Sequence, residues 1–117
     1  MDEIRTSLRE NFQDFLNSAE RDFQEGKYNP AISSYFKAIA ILCDYFIYQE
    51  RRLLPKNHRE RFLFLEMNWK EAYELISPLF NEYTDSYNLR IRREQAARVR
   101  TSVEKLKKIF CFEEKMD

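Results

Sequence analysis

The chain has 117 residues and a mass of 14.4 kDa, a size that suits one domain around one buried core. With 44% hydrophobic and 15% aromatic residues it cannot be a disordered tail, and 20 basic against 20 acidic residues leave no net charge to draw it to a polyanion. One glycine and three prolines rule out a hairpin-rich or Gly-rich phosphate-loop architecture, so helices must separate the apolar residues from the 34% that are charged.

In chain order, Ile4, Leu8, Phe12, Phe15, Leu16, Ala19 and Phe23 recur at spacings of three and four, which predicts a first helix ending near Gly26. Asn29-Pro30 reads as an N-cap followed by the residue best tolerated at a first helical position. A second helix then runs to about Leu54, before Pro55, with apolar residues over more than half its circumference, from Ala31 and Ile32 through Tyr35, Phe36 and Ile39 to Ile47. It is expected to be the central helix. Asn57 with Glu60 gives a capping-box start for a short third helix. Asn68 with Glu71 repeats that signal for a fourth helix, which carries Trp69, Ala72, Ile76, Tyr83 and Tyr87 and is kinked or restarted at Ser77-Pro78. A last helix begins near Arg92 with Ala96, Val99, Val103, Leu106 and Phe110. The expected fold is an all-α, antiparallel four-helix up-and-down bundle with an additional short helix, forming one domain over residues 1–117.

Charge is unevenly spread. Residues 1–25 are rich in Asp and Glu, whereas residues 89–108 carry eight Arg and Lys against Glu94 and Glu104. Cys43 and Cys111 sit in apolar stretches without a CxxC pattern and read as buried thiols. An N-terminus charged from its second residue does not resemble a signal peptide, and no apolar run approaches the roughly 18 residues of a membrane span. A cytoplasmic protein without a membrane partner is expected. Walker, dinucleotide and HExxH motifs are absent, as is metal-ligand spacing, so neither a cofactor nor a metal is expected.

The stretch from Gly26 to Ile39 resembles the second helix of a tetratricopeptide repeat, but the helix continues through Tyr48 and no second copy follows. It also resembles the HEPN family (higher eukaryotes and prokaryotes nucleotide-binding). That likeness rests on Gly26-Lys27-Tyr28-Asn29-Pro30-Ala31 as a G-x-Y-x-x-A entry and on Tyr35-Phe36-Lys37-Ala38 as Y-x-K-A. The loop bearing Asn57-His58, the pair Tyr83 and Tyr87, and a Val/Leu-rich last helix extend it over about residues 12–110.

The resemblance implies a protein that binds or cleaves RNA or nucleotides, in the manner of a metal-independent, toxin-type endoribonuclease paired with a minimal nucleotidyltransferase. Its mark is an arginine, four to six residues, then a histidine. Arg51 precedes His58, the single histidine, by six intervening residues and Arg52 precedes it by five. A histidine can take the 2′-hydroxyl proton while an arginine holds the phosphate, so Arg51, Arg52 and His58 are the candidate catalytic residues. The structural alternative puts His58 in the first turn of the helix capped by Asn57, where it packs locally. Lys56, Arg59 and Arg61 beside the loop, with Arg90, Arg92 and Arg93 at the start of the last helix, are candidate nucleic-acid contacts if the fold brings them together. A chain this rich in Phe and Tyr is expected to form a symmetric homodimer, and the resemblance implies that two Arg/His loops then lie side by side. The alternative function is a noncatalytic helical protein-interaction module.

Overall fold

The computed structural model describes residues 2–113 and is all-α. Its helices are α1 (Glu3–Gln24), α2 (Tyr28–Arg51), α3 (His58–Asn68), α4 (Lys70–Ile76), α5 (Leu79–Asp85) and α6 (Arg93–Ile109). The fourth and fifth are one rod interrupted at Ser77-Pro78, where the proline has no N–H to give. Counted that way there are five helices, four of which make the bundle.

Side-chain contacts fix the directions. α1 and α2 form a hairpin through Gly26, which adopts φ +75° where an L side chain is strained. Along it Phe23 meets Tyr35, Lys37 lies over Phe15, and Arg5 donates to Tyr45 near the far end. Phe36 meets Phe80 and Tyr83, so α4–α5 runs back along α2. α6 then returns antiparallel to α1, with Arg100 on Glu20 and Lys107 over Phe12. The result is the up-and-down frame α1, α2, α4–α5, α6, with α3 as the extra element.

α2 is central, as its apolar circumference predicts: Ala31, Ile32, Tyr35, Phe36, Ala38, Ile39, Leu42, Cys43 and Ile47 are all buried. By length and composition alone it could also cross a bilayer, but 61% of that window is buried inside the bundle. The alanines at 31 and 38 are fully enclosed.

Several boundaries depart from the sequence reading, each for a physical reason. α2 starts at Tyr28, so Asn29 is not its cap. The Asn29 amide instead donates to Ser86 O (2.8 Å) and Leu89 O (2.7 Å) and accepts from Ile91 N (2.9 Å), which ties the α5–α6 connection to the start of α2. α2 ends at Arg51 rather than Leu54 because Arg52 takes the left-handed conformation (φ 58°) that closes a helix. Asn57 caps α3 as expected, accepting from Glu60 N at 2.9 Å. Asn68 does not cap α4: it is the last residue of α3 and bonds back to Phe64 O. Cys43 is buried, but Cys111 is exposed, because the chain turns out of α6 at Phe110 and Cys111 adopts φ 54°.

α3 lies beside the last turns of α2 and points the same way, since Arg61 meets Asp44 and Asn68 meets Arg51, seven residues further along both helices. The segment 52–57 therefore has to travel back over the length of α3 before α3 begins.

Candidate functional site

His58 is the first residue of α3. Its ring is half-buried in an aromatic nest: edge-on to Phe36 (5.5 Å), Phe80 (5.4 Å) and Tyr83 (5.9 Å), and near-parallel to Phe62 at 6.2 Å. Two helices supply the opposing rings because the restart at Pro78 sets Phe80 and Tyr83 on the α5 face that meets α2.

The polar side of the ring faces Arg61, one turn along α3. Arg61 Nη1 lies 2.8 Å from His58 Nδ1, while Arg61 Nε and Nη2 grip Asp44 Oδ1 and Oδ2 at 2.7 and 2.9 Å. The Arg61 and Asp44 side chains are only 10% and 14% exposed, so this is a nearly buried bidentate pair spanning α2 and α3. Burial pushes the Asp44 carboxyl above its ordinary value, with Arg61 opposing that shift. Burial first, then the Arg61 charge, holds His58 below the usual imidazole range, with Asp44 pulling the other way.

A guanidinium only donates, so His58 Nδ1 accepts and the single proton of the neutral ring resides on Nε2. In that tautomer His58 can donate from Nε2. To act as a general base it must first be released by Arg61.

Neither candidate catalytic arginine reaches His58 within one chain. Arg51 Nη2 donates to Asn68 Oδ1 at 2.7 Å, at the far end of α3 from His58, roughly 15 Å away for ten residues at about 1.5 Å each. Arg52 pairs with Asp2, the cap of α1, and covers the Tyr48 ring of α2. Arg61, taken from the sequence as a phosphate contact, is buried and occupied by Asp44. Lys56 and Arg59 are exposed at the α3 start. Arg90 is exposed in a shallow cleft with Gly26, Lys27, Tyr28, Pro30 and Ile91. Arg92 precedes α6, its N–H taken by Gln95 Oε1 (2.9 Å), and Arg93 lies over the Phe23 ring at 5.2 Å.

Tyr83 stacks on Phe36 (4.6 Å, 14°) and exchanges a 2.9 Å hydroxyl hydrogen bond with Tyr87, which is 70% exposed. That bond, then burial, pushes the Tyr83 phenol up to about 12. The Asp44–Arg61 pair was missed in the sequence, although one acid among the apolar residues 38–47 of a central helix signals a cation brought from elsewhere.

Fold and site together define an all-helical bundle with an inward-turned His–Arg–Asp cluster beneath a pair of tyrosines. Compared with family models, curated proteins and solved structures, the chain has no match.

Proposed function

We propose that the chain is a HEPN-like domain that binds RNA or nucleotides where α3 begins and α5 ends, and that it cleaves RNA only when a second copy completes the site. The observation that carries the binding reading is the position of the sole histidine, seated against Tyr83 with the exposed Tyr87 beside it and the exposed cations Lys56 and Arg59 next to it in the chain. An exposed aromatic stacks on a base and neighbouring cations hold phosphate. Arg90 and Arg92 are further exposed cations, on the α5–α6 connection.

Cleavage needs an arginine free to meet the phosphate. Within one chain Arg51 is a helix-length from His58 and Arg61 is held by Asp44, so the active form is a homodimer in which Arg51, given up by Asn68, or Arg52, given up by Asp2, reaches from one copy to the other copy's His58 once Arg61 has released that ring. The resemblance also brings a minimal nucleotidyltransferase as the protein partner of such a toxin-type nuclease. The test is anisotropy with labelled single-stranded RNA, followed by gel analysis of the same RNA. Binding should weaken in Tyr87→Ala and Lys56→Glu and fall with salt, and any cleavage should vanish in His58→Ala. RNA that neither binds nor is cut by wild type overturns the reading.

A second reading, a noncatalytic interaction module, is favoured by the two large apolar side chains that α3 turns outward, Leu63 and Met67. Co-purification with a stoichiometric protein and no nucleic acid would select it.

A further inference from the structure

At the end of the bundle away from Gly26, two arginines of α1, one turn apart, meet a single phenol of α2. Arg5 Nε donates to the Tyr45 hydroxyl oxygen at 2.9 Å, and Arg9 Nη1 donates to the same oxygen at 3.2 Å. Both guanidiniums lie 5.5 Å from the centre of the Tyr45 ring. Arg9 also donates to the Glu113 carbonyl oxygen and rests 4.6 Å from the centre of the Phe112 ring, so the chain leaving α6 lies against it. Arg5 is exposed and Arg9 half-buried, which opens the cluster to solvent on the Arg5 side.

Its charge and its hydrogen bonding both lack a counterpart. Among the described residues neither Arg5 nor Arg9 forms an ion pair, whereas Arg52, Arg61, Arg98 and Arg100 all do. Asp2, the acid at this end of α1, gives its carboxylate to Arg52 and to the Arg5 backbone N–H. Two cations one turn apart near a helix N-terminus repel each other and the helix dipole, so the arrangement is held at a cost. The phenol is equally incomplete. Its oxygen accepts from both arginines, which occupies its lone pairs, so its O–H has to point elsewhere. Among the described residues that O–H has no acceptor, although Tyr45 is only 3% exposed. Burial alone would raise the phenol, but the Arg9 and Arg5 guanidiniums outweigh it and hold it below its ordinary value, so negative charge is favoured at this point.

We propose that Arg5, Arg9 and Tyr45 form a binding site for a phosphate monoester dianion. Two guanidiniums that no carboxylate neutralises match the charge of about −1.5 to −2 that such a group carries at neutral pH. A phosphodiester, with one charge, would leave one cation uncompensated. Arg5 uses only its Nε–H within the chain, so its terminal nitrogens are available to the phosphate oxygens. The Arg9 Nε–H and the Tyr45 O–H are the remaining donors. The site shares no residue with the His58 cluster and does not rest on the nuclease reading. Such a phosphate occurs free, on a nucleotide and at the end of an RNA chain, and the experiment separates these sources.

Isothermal titration calorimetry of the full chain at low ionic strength should show saturable, one-site binding of inorganic phosphate. Arg5→Gln and Arg9→Gln should each weaken it about tenfold, and so should Tyr45→Phe, which removes a donor without removing charge. Arg98→Gln, a surface arginine elsewhere, should leave it unchanged. Circular dichroism checks each fold, and Arg5, being exposed, is the variant least able to disturb it. Adenosine monophosphate and a short RNA with a 5′-phosphate, set beside the same RNA with a 5′-hydroxyl, then identify the source. Tighter binding of the phosphorylated RNA alone assigns the site to an RNA end, equal tightening by the nucleotide assigns it to a free nucleotide, and no gain over inorganic phosphate assigns it to the free ion. Wild type that binds no phosphate, or binding that survives in Arg5→Gln/Arg9→Gln, overturns the site.

Discussion

Replacing Arg61 with Met keeps the length of the side chain but removes the guanidinium from the Asp44 carboxylate and from His58 Nδ1. Both partners of the ion pair are less than 15% exposed, so water cannot take over the lost hydrogen bonds. Breaking such a pair from one side costs about 3 kcal/mol, the lower end of the usual range because Asp44 keeps some contact with solvent. For a chain of this length that lowers Tm on the order of 10 °C. The loss should also depend on pH. Without Arg61 the buried carboxyl titrates above its unfolded value, so the folded state binds the extra proton. Stability is then highest below the unfolded carboxylate pKa and falls as pH rises through the folded one. Urea denaturation followed by circular dichroism at acidic and mildly alkaline pH measures both effects. Asp44→Leu/Arg61→Met should recover most of the loss, because neither charge is then left buried. A single variant within about 1 kcal/mol of wild type, or one equally stable at both pH values, would refute the account of a buried, mutually dependent pair.

Four further outcomes follow from the same geometry. Because His58 is held below its ordinary pKa, the unfolded chain binds its proton more tightly; the His58 contribution is complete above the unfolded value near 6.5 and declines as pH falls toward the folded one, so His58→Gln should flatten the pH–stability profile across that window in matched urea titrations. Asn29→Ala removes three hydrogen bonds to the α5–α6 connection and should cost about 2 kcal/mol, read as a drop in thermal midpoint, with Asn29→Asp failing to rescue because a carboxylate cannot donate to Ser86 and Leu89. In native protein a thiol reagent should label Cys111 alone, since Cys43 is fully enclosed and its thiol is pushed up by burial, and both should react in denaturant. Leu42→Ala should open a cavity at the centre of α2 and cost about 3 kcal/mol, checked by urea titration.

Short-range signals carried most of the fold. The three-and-four spacing from Phe12 to Phe23 and the cap at Asn57 act within a single helix, and both were readable. What was not readable depends on residues far apart in sequence. Asn29 looks like a cap beside Pro30, yet its amide serves a connection about sixty residues later. Arg61 looks like another basic residue of a loop-adjacent run, and only the approach of Asp44 from α2 turns it inward. The Arg51-to-His58 spacing counts residues along the chain, but the return segment and α3 convert that short count into opposite ends of a helix. Cys111 sits among apolar neighbours in sequence, and the positive φ at the end of α6 exposes it.

The isolation of α3 has a dynamic consequence. It sends only Arg61 and Leu65 into the interior as buried residues, against eleven from α2. A segment so lightly anchored opens at a fraction of the free energy needed to unfold the whole chain. Amide protons from about Phe62 to Asn68 should thus exchange through a local opening, while those in the middle of α2 wait for global unfolding. The two ends of such an opening are the Asp44–Arg61 pair and the Arg51–Asn68 hydrogen bond, so whatever loosens either one sets how often α3 lifts away from the bundle.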